Sequence, residues 1–262
     1  MTPFTPTAAL RSGRRTMGRH VTDEAAAEAR REDGDTATMR VTIGPAFGCE
    51  ALEQRVIRFA PGRSRPRAGG TREELLFALS GSATLHLGGS EHALGPETGV
   101  VVPPGERYEV ENDGPDDLVV VSVLGLEPEG AAERREPVTV RLAEQPAHPA
   151  GKDREFRYVA NEDVGCRTVT QFVGSIPPGR AKPHYHTYEE VAYILAGEGV
   201  LHMGGESSTV RAGSCIHFPA REPHILENVG SETLRVLGVF HPAGDPSMAF
   251  NVPEAHEEEE SE

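Results

Sequence analysis

The sequence predicts an all-β protein made of two tandem copies of one barrel-type domain, and two observations carry that prediction. First, short runs rich in Val, Ile, Leu and Phe recur at regular spacing between Gly and Pro residues, at 55–60, 75–87, 99–102, 118–124, 167–173, 191–203, 214–218 and 233–240. Runs of this length and punctuation read as strands of a barrel or sandwich. Second, the chain repeats itself. A shift of 116 residues carries Glu74 onto Glu190, Leu79 onto Leu195, Gly81 onto Gly197, Pro103 onto Pro219 and Asn112 onto Asn228. Upstream the shift is 117, carrying Cys49 onto Cys166 and Pro61-Gly62 onto Pro178-Gly179, so one residue is missing between Gly179 and His184.

The segments follow in order. Residues 1–40 mix seven arginines with six acids and hold few apolar residues, which predicts a mobile arm; only the stretch 23–31 (DEAAAEARR) looks helical, and it is short for an isolated helix. Residues 41–128 form the first copy and 148–253 the second. Between them, 129–147 is rich in Glu, Arg and Pro and reads as a linker. The last nine residues, 254–262, hold six glutamates, a like-charge run that predicts a disordered tail.

Asp and Glu number 41 against 26 Lys and Arg, a net charge of −15, which disfavours a nucleic-acid partner by repelling a phosphate backbone. No apolar run approaches the length of a membrane span. The three cysteines, Cys49, Cys166 and Cys215, are too few and too scattered for a disulfide framework or an all-Cys zinc site. Arg14-Arg15 is not followed by an apolar stretch of signal-peptide length, so a cytoplasmic protein is expected.

The chemistry concentrates in the second copy, in the spacing His184-x-His186-x3-Glu190-x6-Gly197, followed by Gly213-x5-Pro219-x-Arg221-x2-His224-x3-Asn228. A His pair two residues apart places both rings on one face of a strand. With Glu190 further along and His224 from a neighbouring strand, three imidazoles and one carboxylate can converge inside one barrel and leave positions open on an octahedral ion. Glu190 rather than Glu189 is the expected carboxylate, because the even spacing from His186 keeps it on the same face.

These motifs resemble those of the cupin superfamily, and specifically of two-barrel bicupins. The family pattern reads G-x5-H-x-H-x3,4-E-x6-G and then G-x5-P-x-G-x2-H-x3-N. Two positions depart from it: four residues separate Gly179 from His184 where the pattern has five, and Arg221 replaces the second motif's central glycine. The resemblance spans roughly Gly48 to Pro242. It implies two tandem double-stranded β-helix (jelly-roll) barrels packed as a pseudo-dimer, and leaves a further homo-oligomer of whole chains open. It also implies one divalent transition metal, Fe(II) or Mn(II) ahead of Ni or Zn, held by His184, His186, Glu190 and His224. At the aligned positions the first copy has Ala68, Gly70, Glu74 and Tyr108, so that barrel is expected to be metal-free and to serve structure or a small ligand.

The expected function is a metal-dependent dioxygenase acting on a small chelating substrate such as an enediol, a phenol or a β-dicarbonyl. The alternatives are a non-redox isomerase, lyase or cyclase, in which a pocket residue such as His217 moves a proton, and a ligand-binding module without turnover. Tyr185, Tyr188, Tyr193 and Gln171 are candidate substrate or supporting contacts that barrel packing explains equally well. Cys215 reads as a buried small hydrophobe, and Arg63, Arg65 and Arg67 as a solvated rim rather than an anion site.

Overall fold

A computed structural model describes residues 19–128, 138–151 and 153–252. Two seven-stranded sheets and two five-stranded sheets build two barrels, one of each sheet per barrel, and the strand pairings among the described residues are antiparallel. In the first barrel the strands Glu53–Phe59, Glu74–Ser80, Thr98–Val102 and Leu118–Leu124 form the large sheet. In the second, Thr170–Ile176, Glu189–Ala196, Ser214–Phe218 and Leu234–His241 take the same places.

Each long apolar run expected as one strand, at 75–87 and 191–203, is a hairpin. Gly81 (φ +79°) and Gly197 (φ +88°) make its turn, and a Cβ at either would meet opposing main-chain atoms at 2.5 Å and 2.8 Å. The asparagines of the repeat lock a second turn. Asn228 Nδ2 donates to the carbonyls of Ile176 and Glu232 while Gly230 N–H donates to its Oδ1, and Asn112 repeats the pattern with Phe59, Asp116 and Gly114.

The large-sheet strands are apolar on both faces, and the two periodicities of each strand explain why. In Glu189–Ala196, Ala192 and Ile194 point into the second barrel while Val191 and Tyr193 join a cluster shared by both barrels. Leu76 and Ala78 fill the first barrel, whereas Leu75 and Phe77 join the same shared cluster. The barrels therefore bury one sheet face against each other, with three apolar cores in sequence across the molecule.

The expected arm and linker are corrected in their described parts. Val21–Asp23 is not mobile: it pairs with Ser214–Phe218 and extends the second barrel's sheet. Val138–Arg141 is not linker: it pairs with Thr98–Val102 of the first barrel. Each barrel thus receives an edge strand from the segment preceding the other, which caps an open edge and ties the halves together. The expected helix at 23–31 is a single 3-10 turn, Glu24–Ala26, and its first residue bridges both barrels: Glu24 accepts from Arg58 at 2.5 Å and from Tyr193 Oη at 2.8 Å. Composition misled here because a single buried edge strand needs few apolar residues. Residues 1–18, 129–137 and the tail 254–262 lie outside the described residues.

Candidate metal centre

The strand His184–Tyr185 pairs with His224–Asn228 so that His184 lies directly opposite His224, and His186 follows two residues on. The ring centroids are 4.7 Å apart for His184 and His224, 5.1 Å for His184 and His186, and 5.2 Å for His186 and His224. Each of the three offers a ring nitrogen within 4.8 Å of the others.

The other nitrogen of each ring is already engaged. Nδ1 of His184 lies 3.1 Å from the Lys182 carbonyl, Nδ1 of His186 3.0 Å from that of Met248, and Nδ1 of His224 2.9 Å from that of Glu222. A carbonyl only accepts, so each Nδ1 carries the proton and each Nε2 keeps a free lone pair. This is the tautomer a metal ligand requires. Burial lowers the proton affinity of all three, to about 4 for His186 and about 3 for His224, so they are neutral at pH 7.

Glu190 shares the interior face, buried opposite Phe218 and Phe240, but its carboxyl stands outside the tight set of imidazoles. Burial raises its pKa to about 8, and none of its described neighbours offers it a hydrogen bond. Its oxygen occupies space that a side chain at Gly238 would take, since a Cβ there would lie 2.7 Å away. A buried carboxyl without a donor among the described residues, on the same interior face as three imidazoles with free lone pairs, is the donor set of a cation site. The residues present fit a divalent metal ion.

Aromatic rings wall the site: Tyr188 stacks on His186 at 4.6 Å and on Phe240 at 4.0 Å, and Phe218 lies 4.6 Å from His224. Arg221, where the sequence pattern has glycine, takes the left-handed conformation (φ +64°), and its N–H donates to the His186 carbonyl at 2.6 Å, so the turn survives the departure.

Of the other candidates, the structure moves several away. His217 does not line this pocket. It points to the opposite face of its strand, into the junction between barrels, where its Nε2 lies 2.8 Å from Glu189. Tyr193 and Gln171 also face the junction, Tyr185 stacks on Phe250 at 5.4 Å, and Cys215 is buried as expected. Arg63, Arg65 and Arg67 pair with Glu109, Glu32 and Asp35. Two contributors had no signature in the sequence. Met248 acts through its main-chain carbonyl, which any residue could supply. Arg154 donates to the Leu226 carbonyl at 3.1 Å, and its charge further depresses the proton affinity of His184 and His224.

Among solved structures, the chain is similar to a putative glyoxylate-induced protein of Pseudomonas aeruginosa (TM-score 0.75, 17% identity, 95% of this chain and 98% of that one). It is also similar to the oxalate decarboxylase of Bacillus subtilis (TM-score 0.71, 15% identity, 92% and 81%). At these identities the likeness shows the fold. Among curated proteins, an oxalate-binding protein of Thermotoga maritima is 39% identical over 67 residues, 25% of this chain and 55% of that protein. The chain spans about half the length of the curated relatives it matches. The cupin domain model matches twice, at residues 55–124 and 172–240, in register with the two barrels and together over more than half of the sequence, and the chain therefore belongs to the cupin family as a two-barrel member.

Proposed function

We propose that the C-terminal barrel binds one divalent transition-metal ion through His184, His186, His224 and Glu190, and that the protein is an enzyme acting there on a small anionic oxygen chelate. The observation that carries this reading is the convergence of three proton-free Nε2 atoms beside a buried carboxyl that lacks a donor. Fe(II) and Mn(II) are the favoured ions because imidazole and carboxylate suit both, and the oxalate decarboxylase of similar fold is described with Mn(II) centres.

When bound, the ion supplies Lewis acidity and open positions for substrate oxygens. The chain's own residues do the rest. Three neutral imidazoles and one carboxylate leave a net positive centre, and the Arg154 guanidinium adds to it, so an anionic bidentate substrate is attracted. Tyr188, Phe218 and Phe240 exclude water from one side. The carbonyls of Lys182, Met248 and Glu222 keep the imidazoles from rotating.

The reaction we assign is that of a dioxygenase, in which both atoms of O2 enter the product and no external reductant is consumed. The placement of His217 at the junction removes one candidate proton carrier from the non-redox alternative. A second reading, ligand binding without turnover, draws support from the similarity to an oxalate-binding protein. The net negative charge and three buried cysteines that form no disulfide fit the cytoplasm as its compartment; among the described residues no helix is long and apolar enough to cross a membrane.

The test is a Mn(II) titration and an oxygen-uptake screen on oxalate, 2-oxo acids, enediols and catechols. The wild type is expected to bind Mn(II) and consume oxygen with one substrate class, and His184→Ala/His186→Ala to do neither. Equal Mn(II) binding by the double variant would refute the site. Tight substrate binding without oxygen uptake or product would replace enzyme by binding module.

A further inference from the structure

A second cluster of ligand-type side chains lies outside the barrel interior. Cys49 follows the 3-10 turn Pro45–Phe47 of the first half, Glu189 opens the strand Glu189–Ala196, and His217 sits in Ser214–Phe218 of the second half. Their Sγ, carboxylate and ring-nitrogen atoms all lie within 4.8 Å of one another. Strand parity separates them from the three-histidine centre, because Glu189 and His217 point to the opposite face from Glu190 and Phe218.

The equivalent place in the other half shows what a purely structural version of this cluster requires. There Glu73 reaches across the junction and accepts from the N–H groups of Arg167 and Thr168 at 2.9 and 2.8 Å and from Thr168 Oγ1 at 2.5 Å. Cys166 stands where the first half has Cys49, and Val101 where the second has His217. The main chain and one hydroxyl satisfy that carboxylate. Among the described residues Glu189 keeps one main-chain donor, Ala51 N–H at 2.9 Å, and its other partners are His217 and the Cys49 thiol. Both halves carry the cysteine and one main-chain donor; the difference is that Glu73 also has the Arg167 N–H and the Thr168 hydroxyl, where Glu189 has the His217 imidazole.

We propose that Cys49, Glu189 and His217 hold a second divalent ion, of the zinc class, at the junction between the barrels. A soft thiolate and a neutral imidazole beside one carboxylate form a donor set that suits zinc better than the harder ions. Their summed charge of −2 balances a divalent cation, which a buried site demands. Cys49 is fully buried and the His217 side chain 5% exposed, while that of Glu189 is 18% exposed and opens the cluster to solvent. On binding, the thiol releases one proton to water and His217 shifts its proton to Nδ1. Glu189 Oε1 and His217 Nε2 then turn from each other to the ion, and Ala51 N–H retains Oε2. The ion ties one barrel to the other and leaves the pocket chemistry untouched, so this inference stands independently of the proposed function.

Co(II) substitution of the chelator-treated full-length protein tests it. Two equivalents are expected, one of them with the near-ultraviolet charge-transfer band of a thiolate ligand. His217→Val, which installs the residue of the equivalent position, is expected to lose that band and one equivalent. Cys49→Ser should do the same, and His184→Ala/His186→Ala should keep the band. A wild type without a thiolate band, or a band that survives His217→Val, would overturn the proposal.

Discussion

The two barrels share a fold and differ in how each treats one buried carboxylate. In the first, Glu74 accepts from Ser122 Oγ at 2.6 Å and from Tyr108 Oη at 3.1 Å, and the Tyr108 ring fills the space beneath. In the second, Gly238 and His224 occupy those two places, and Glu190 is left without a donor. A protein that satisfies a buried carboxylate internally has closed the site; one that withholds both donors has left room for a cation. At the mouth the contrast repeats. Asp35 is held below its usual carboxylate range: burial alone raises it, but the N–H groups of Ala37 and Arg65 and the Arg67 guanidinium more than offset that. This ion pair lies where the second barrel brings in its histidines. In the first barrel the carboxylate of Glu74 is thus satisfied by the chain's own side chains.

The sharpest way to break this comparison is to remove the donor-less carboxylate. Glu190→Gln is expected to weaken Mn(II) binding at least tenfold, whereas Glu189→Gln, on the opposite strand face, should leave it within about twofold. Mn(II) is the probe because a thiolate-containing junction site disfavours it. Loss of Mn(II) binding from Glu189→Gln with Glu190→Gln unaffected would place the register wrong by one residue.

Acid should expose the second barrel before the first. In chelator-treated protein the unfolded chain protonates its histidines below about 6.5, but folded His186 does so only near 4 and His224 near 3. From these two histidines the unfolded state therefore binds more protons in that window, so their contribution to stability is full above it and is lost as pH drops, whereas Glu190, with a folded pKa of about 8, works in the opposite sense above the ordinary carboxylate range and is common to both proteins compared. Denaturant midpoints from pH 7 to 4 check this, with His186→Ala/His224→Ala as the flatter control. Equal slopes in the two proteins would contradict it.

The smallest expected effect comes from the junction. Thr42 donates to the Gln54 side chain at 3.0 Å, but at the equivalent positions Val159 faces Gln171, whose amide finds no partner among the described residues. Val159→Thr should supply one and stabilise the protein by about 1 kcal/mol, read as a rise in Tm of about 2–4 °C. A lower Tm would mean that the methyl packing against Gly99 outweighs the hydrogen bond.

Much of this molecule was legible in the chain. The 116-residue repeat, the hairpin glycines, the asparagine turns and the three histidines all depend on local spacing, and a strand's two-residue period converts spacing directly into facing. The same parity set Glu190 apart from Glu189. What needed the tertiary structure depends on partners far away in sequence or on main-chain atoms that any residue carries. Val21–Asp23 and Val138–Arg141 became strands only because the opposite barrel offers each an open edge. Met248 serves through its carbonyl, which leaves no trace in residue identity. His217 reads as a core histidine by sequence, but which side of its sheet faces a pocket and which faces another barrel is decided by packing the two halves together. Local periodicity is a property of the chain; the identity of what lies across an interface is a property of the fold.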